Sequence, residues 1–197
     1  PKGTVEELSM VKDVLGSYST SYSTSAAARV ANVENGTRLL NGVTLYPGET
    51  FSTLELVTPF TEANGYAMAG SYLNGLVVDN LGGGICQVST TLYNAVLFAE
   101  LEVTQRGSHS MSVAYVPLSA DAAIAESAGK DFCFKNSTDY PIYIEGYTTP
   151  ERRVTFNIYG VETRKDGYTF NFVTEVMETI QATTENIIQV ADQPIGY

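Results

Sequence analysis

Cys86 follows three glycines, Gly82, Gly83 and Gly84, and stands where a helix-patterned segment begins. A helix start gathers unpaired N–H groups and the positive end of the helix dipole. A thiolate is stabilised there, so its pKa is expected to fall and the cysteine to become a nucleophile near neutral pH. Glycines ahead of it let backbone approach a substrate closely. The N–H groups from Gly83 and Gly84 to Gln87 are candidates to hold the oxyanion of an acyl-transfer step. His109 is the sole histidine. It is therefore the one side chain able to act as a neutral imidazole base near pH 7. A third group should orient that imidazole, and Asp121, Asp131 and Asn136 are the candidates. Ser89, Thr90 and Tyr93 share the helix face of Cys86, with Thr90 one turn beyond it. Arg106 is a candidate to bind a substrate carboxylate.

Other chemistries fit less well. Two cysteines allow one disulfide, and with His109 they make three soft ligands without metal-type spacing, so no metal or cofactor is expected. Cys133, between two phenylalanines, reads as an inert buried thiol. The glycine triplet lacks the lysine of a phosphate loop and the later glycine of a dinucleotide site. Acidic residues outnumber basic ones 22 to 11, for a net charge of −11, which argues against nucleic acid and anionic lipid as partners. No run of 18 apolar residues is present to span a membrane. The chain begins Pro-Lys-Gly without a signal-peptide pattern, so it reads as a fragment whose membrane anchor, if any, lies in missing segments.

The elements that must position these groups follow from patterning. Residues 1–25, rich in Ser, Thr and Tyr, read as an extended lead-in or edge strand. A helix is expected over Ala26–Leu40, then a short strand at Val43–Tyr46. An irregular stretch over 51–66 precedes a hairpin around the Asn74-Gly75 turn. From Cys86 to about Leu101, Val88, Leu92, Ala95, Val96 and Ala99 recur at helical spacing and form the expected buried stripe. Alternation at Met111, Val113 and Tyr115 predicts a half-buried strand with His109 on its inner side. Strands are also expected at 132–134, 142–144 and 154–158. Residues 161–197 read as a β-rich extension or linker, which leaves 26–160 as the catalytic domain. The fold expected is α+β: one antiparallel sheet with the Cys86 helix on one face, papain-like in order.

The run from Gly82 to Asn94 resembles the signature of the VanW-like domain family. Asn41-Gly42, Pro47 to Ser52, Gly65-Tyr66, Arg106 with His109-Ser110, Val113 to Leu118 with Asp121, and Phe134 to Asn136 with Thr138 to Ile142 match as well. The likeness covers roughly residues 25–160. It implies a place outside the cytoplasm in a bacterial, mainly Gram-positive, cell envelope. Some members are described as L,D-transpeptidases that form 3-3 peptidoglycan cross-links through the cysteine of this motif. The resemblance thus implies Cys86 as nucleophile, His109 as its base and peptidoglycan stem peptides as the partner. Hydrolysis by the same apparatus, and a non-catalytic wall-binding module, are the rival readings.

Overall fold

The fold is known from a computed structural model, which describes residues 3–73, 76–165 and 167–180. A short helix α1 (Val5–Ser9) leads to strand β1 (Asp13–Ser21), helix α2 (Ala27–Leu40), strands β2 (Val43–Leu45) and β3 (Thr50–Ser52), and helix α3 (Thr53–Val57). Strands β4 (Met68–Leu73) and β5 (Leu76–Leu81) form a hairpin that runs into helix α4 (Ile85–Phe98). Strands β6 (Glu102–Gln105), β7 (Cys133–Lys135), β8 (Ile142–Thr148) and β9 (Arg153–Gly160) complete the fold. The strands make a four-stranded sheet ordered β1-β9-β8-β2, a three-stranded sheet β3-β7-β6 and the β4-β5 ribbon, all antiparallel.

The fold is α+β, but its strands divide among three sheets where a single sheet was expected. The four-stranded sheet has the two-sided pattern of an antiparallel sheet with one wet face. Val154, Phe156 and Ile158 of β9 and Ile142 and Ile144 of β8 point inward and are fully buried. On the outer face Ser17 and Ser19 of β1 hydrogen bond to Asn157 and Thr155 across the ladder. The Ser/Thr/Tyr-rich segment is thus an edge strand whose hydroxyls alternate outward. Its inner residues are small or aromatic so that α4 can approach: a side chain at Gly16 would collide with the α4 backbone. Tyr18 stacks on Phe98 at 6.1 Å.

Helix α4 packs across β1 and β9, and α2 lies beside it against β8. The apolar stripe of α4 is buried as its spacing predicts, with Val88, Leu92, Ala95 and Val96 inaccessible to solvent. The second sheet adds Phe51, Phe132 and Phe134, stacked at 4.9 and 5.6 Å. The predicted hairpin forms as β4-β5, while its Asn74-Gly75 turn lies outside the described residues. Residues 161–165 and 167–180 hold no strand; Arg164 ties the segment to the Phe98 and Leu15 carbonyls, and Phe170 and Phe172 pack on Phe98. Residues 181–197 of the expected extension lie outside the described residues.

Candidate active site

Helix α4 starts abruptly because two glycines allow it. Gly84 is its N-cap at φ 107°, a left-handed conformation that other residues resist. A Cβ on Gly83 would fall into the Ala69 carbonyl of β4, so the ribbon and the helix start are in direct contact. Arg29 of α2 crosses the same point, and its guanidinium donates to Gln87 Oε1 at 2.8 Å. Gln87 Nε2 in turn donates to Thr20 Oγ1 and the Ser21 carbonyl, which fastens the start of α4 to β1.

The polar face of α4 grips one extended segment. Asn94 Nδ2 donates to the Ala120 carbonyl at 2.8 Å, and Thr90 Oγ1 accepts from the Ala122 N–H at 2.9 Å. Ser89 Oγ donates to the Ala122 carbonyl, and the Cys86 thiol lies 3.4 Å from the Ile124 carbonyl. Residues 120–124 therefore run along the helix as far as the cysteine. The same segment holds the histidine. Gly107 and Ala123 form an antiparallel bridge, so the residues two positions on and two back, His109 and Asp121, come opposite each other. His109 Nδ1 lies 2.6 Å from Asp121 Oδ2, which also accepts from the His109 backbone N–H at 2.7 Å. Both side chains are about nine-tenths covered, at 9% and 10% exposure, so bulk water hardly screens the pair.

Of the three candidates to orient the imidazole, Asp121 is the one in contact with it. Burial alone would raise the Asp121 pKa, but the His109 N–H and imidazole, helped by Arg106, hold the carboxyl below the usual carboxylate range. Asp131 instead caps the start of α3, accepting from Ser52 Oγ at 2.6 Å and the Leu54 N–H at 3.0 Å. Asn136 braces a turn through the Leu45 and Tyr140 carbonyls. The expected strand over 111–115 is absent; the stretch is irregular, and its alternation serves a loop closed by Arg106. Arg106 donates to the Ser119 and Asp121 carbonyls and to Asp121 Oδ1 at 2.9 Å. It lies over the Tyr93 ring at 5.6 Å, and Tyr93 packs edge-on to Phe132. Arg106 is thus occupied in fixing Asp121, although it also borders a hollow of about 400 Å³ that opens on His109 and Asp121.

The groups expected to bind substrate near the helix start divide. The Gly83, Ile85 and Gln87 N–H groups donate to Asn80, Gly82 and Gly84 carbonyls, and Gln87 and Thr90 are fully buried by structural hydrogen bonds. This removes Gly83, Gln87 and Thr90 as free donors. The N–H groups of Gly84 and Cys86 have no acceptor among the described residues. The expected fall in the Cys86 pKa is also reversed. Burial pushes the thiol up, against the lowering influence of its Ile124 contact and the Arg29 charge. The resting thiol is therefore neutral, and ionising it requires a base. Cys133 is free, not joined to Cys86. No cluster of metal-ligating side chains occurs among the described residues. No helix among them is long and apolar enough to cross a membrane.

Two groups near the thiol had no sequence signal. Arg29 is far away in the chain and reads as an ordinary helix-surface cation. Tyr115, assigned to the missing strand, is half-buried, and burial first, then the Cys86 charge, pushes its phenol up.

A family model described as "VanW like protein" matches residues 28–159. The chain is 40% identical over 130 residues to the uncharacterized protein YoaR of Bacillus subtilis, covering 66% of this chain and 43% of that protein. It is 32% identical over 123 residues to the vancomycin B-type resistance protein VanW of Enterococcus faecalis, covering 59% of this chain and 44% of that protein. The chain spans less than half the length of these curated relatives. No solved structure matches it significantly.

Proposed function

The chain belongs to the VanW-like protein family, and from that premise we propose that it is a cysteine-dependent L,D-transpeptidase acting on peptidoglycan stem peptides, outside the cytoplasm in a Gram-positive envelope. The observation that carries this reading is the single segment 120–124, which presents Asp121 to His109 and the Ile124 carbonyl to the Cys86 thiol. A half-buried neutral thiol, an imidazole and a carboxylate that fixes the imidazole are the parts of a nucleophile–base–orienter triad. The relative named for vancomycin resistance supports the cell-wall side of the reading.

In the proposed reaction Asp121 accepts from Nδ1–H, which leaves Nε2 of His109 to take the thiol proton. The Cys86 thiolate adds to the carbonyl of the L,D-amide after the third residue of a donor tetrapeptide. The carbonyl π pair moves to oxygen, then returns as the C–N bond breaks, and the His109 proton leaves with D-alanine. The side-chain amine of an acceptor stem attacks the thioester, loses a proton to His109 and restores the thiol. The net result is a 3-3 cross-link and one free D-alanine.

Incubating the purified chain with disaccharide-tetrapeptides should give cross-linked dimers and D-alanine. Trimmed tripeptide monomers without dimers would mean that water resolves the thioester. Full activity in Cys86→Ala would remove both outcomes and leave a wall-binding module.

A further inference from the structure

Proton transfer from Cys86 to His109 makes two charges at once, a thiolate and an imidazolium. The imidazolium has its counter-charge, because Asp121 Oδ2 lies 2.6 Å from His109 Nδ1. The thiolate forms on α4, a helix that carries no charged residue. The backbone N–H groups at its start offer only partial charge. One guanidinium is built into the same turn. Arg29 of α2 lies along Gly84, where an added Cβ would stand 2.8 Å from its Cγ and 3.4 Å from its Nε. Its Nη2 donates to Gln87 Oε1 at 2.8 Å, and its Nη1 donates to Ser25 Oγ at 2.8 Å. Gly84 and Gln87 flank Cys86 in the chain, so the cation spans the turn that carries the thiol. Gln87 is in turn anchored to Thr20 and Ser21 of β1, which holds the Arg29 contact in place.

From this placement we infer that Arg29 is a positioning residue for the cysteine chemistry: its guanidinium, fixed across the first turn of α4, supplies the standing positive charge against which the Cys86 thiolate forms. The inference rests on the cysteine chemistry proposed above but not on the identity of the stem peptide. In the step itself the S–H electron pair stays on sulfur, the proton passes to His109, and Arg29 keeps all of its own protons. The other charges around the helix start compete little. Asp121, on the segment that runs along α4, is shared between His109 and Arg106. Lys130 turns its ammonium to the Ser108 carbonyl at 2.8 Å. Tyr115 keeps its proton, because burial pushes its phenol up. Glu34 and Arg38 of α2 and Asp79 of β5 stand exposed, where water and salt screen them. Gln87 is fully buried, so the Arg29 charge beside it acts through protein more than through water. Burial pushes the Cys86 thiol up, and of the side-chain charges that act on it Arg29, which lowers it, is the strongest.

The pH profile of thiol alkylation separates this role from a merely structural one. Iodoacetamide is uncharged, so Arg29 does not steer it, and its rate follows the thiolate fraction. In a Cys133→Ser background it reports on Cys86 alone. Arg29→Met, of similar length and without charge, should move the alkylation midpoint up by about one pH unit, the scale of one lost neighbouring charge. Alkylation at pH 8 should then slow about tenfold, while the limiting rate at high pH stays within about twofold of the parent. Arg29→Lys restores the charge and should recover most of the shift. Arg29→Gln, polar but neutral, must show the same rise as the methionine variant and serves if that variant fails to fold. An unmoved midpoint in a chain that still cross-links overturns the inference alone. So does a fall in the limiting rate without a shift, which would make Arg29 only a brace for Gln87, or a lysine variant shifted as far as the methionine one. A parent Cys86 that iodoacetamide never labels overturns the inference together with the cysteine chemistry. A parent that titrates as expected but gives neither dimers nor trimmed monomers refutes the substrate reading and leaves Arg29 in place.

Discussion

Each of the two cysteines has an aspartate nearby, and the two sites use that carboxylate in opposite ways. At Cys133 the thiol meets Asp131 directly, Sγ to Oδ2 at 3.1 Å. Burial, the hydrogen bond to Asp131 and its charge together push that thiol up to about 12. Near Cys86 the carboxylate is engaged by other groups: Asp121 is joined to His109 and Arg106, and its own charge is a lesser influence on the sulfur than burial, the Ile124 contact or Arg29. A carboxylate touching a thiol suppresses the thiolate; a carboxylate joined to an imidazole, in the chemistry proposed above, equips a base. Burial raises both thiols, so burial does not distinguish the sites; the partner of each carboxylate does, the thiol itself at Asp131 and His109 at Asp121.

The sharpest way to break the comparison is to remove each sulfur in turn. Cys86→Ala should abolish cross-linking and D-alanine release, and Cys133→Ser should leave both within about twofold of the parent, since a thiol outside the chemistry contributes only packing. His109→Ala should cost about 10²–10⁴ in turnover, the range for losing a general base. Asp121→Asn should fall in the same range, by freeing the imidazole to take the wrong tautomer. Both losses should appear in kcat more than in KM, measured on the tetrapeptide. If Asp131→Asn proved as damaging as Asp121→Asn, the division of labour between the two carboxylates would be wrong.

How far the sequence carries this far depends on the range of the forces involved. The α4 stripe is a local periodicity, and Val88, Leu92, Ala95 and Val96 are buried where it puts them. The α2 helix and the β4-β5 hairpin were legible for the same reason. The reading of residues 1–25 as an extended lead-in or edge strand reaches the edge position of β1, but the outward hydroxyls hide the alternation whose inner residues, Gly16 and Tyr18, are fitted to α4. The contact of Asp121 with His109 depends on the Gly107–Ala123 bridge, a pairing that irregular backbone on both sides conceals. The strand predicted at Met111–Tyr115 shows the reverse error, in which alternation appears without a ladder. Gln87, read as a substrate ligand from its place beside Cys86, is a brace to β1. Its partners Arg29, Thr20 and Ser21 lie well upstream and leave no mark near the motif.

A milder perturbation should move one site toward the other. Asp131→Asn removes the charge and weakens the acceptor that hold the Cys133 proton, so the Cys133 pKa should fall from about 12 towards its ordinary value. Alkylation of Cys133 at pH 9, followed in a Cys86→Ala background, should then rise several-fold. The amide keeps an acceptor for the Leu54 and Phe132 N–H groups but loses the charge that favours them, a stability cost of about 1–2 kcal/mol. An unchanged labelling rate would mean that burial alone sets the Cys133 proton.

The smallest expected effect is on stability at alkaline pH, where the two thiols should act alike. Both pKa values are raised in the folded chain. Above a pKa of about 8.5 the unfolded chain loses its thiol protons while the folded chain keeps them. The unfolded state then binds fewer protons, and stability falls as pH rises. The contribution is complete below the unfolded value and declines until the folded thiols ionise, near 12 for Cys133. Asp121 has the opposite sign: its lowered pKa adds stability above about 4 that is lost as pH falls through the folded value. Denaturant melts between pH 8 and 10.5 should therefore show a negative slope, reduced in Cys133→Ser and reduced again in the double Cys86→Ala, Cys133→Ser chain. Melts between pH 5 and 3 should fall less steeply in Asp121→Asn than in the parent. If removing Cys133 flattened the alkaline slope while removing Cys86 did nothing, the Cys86 thiol would not be held neutral by burial, and its need for His109 would have to be reconsidered.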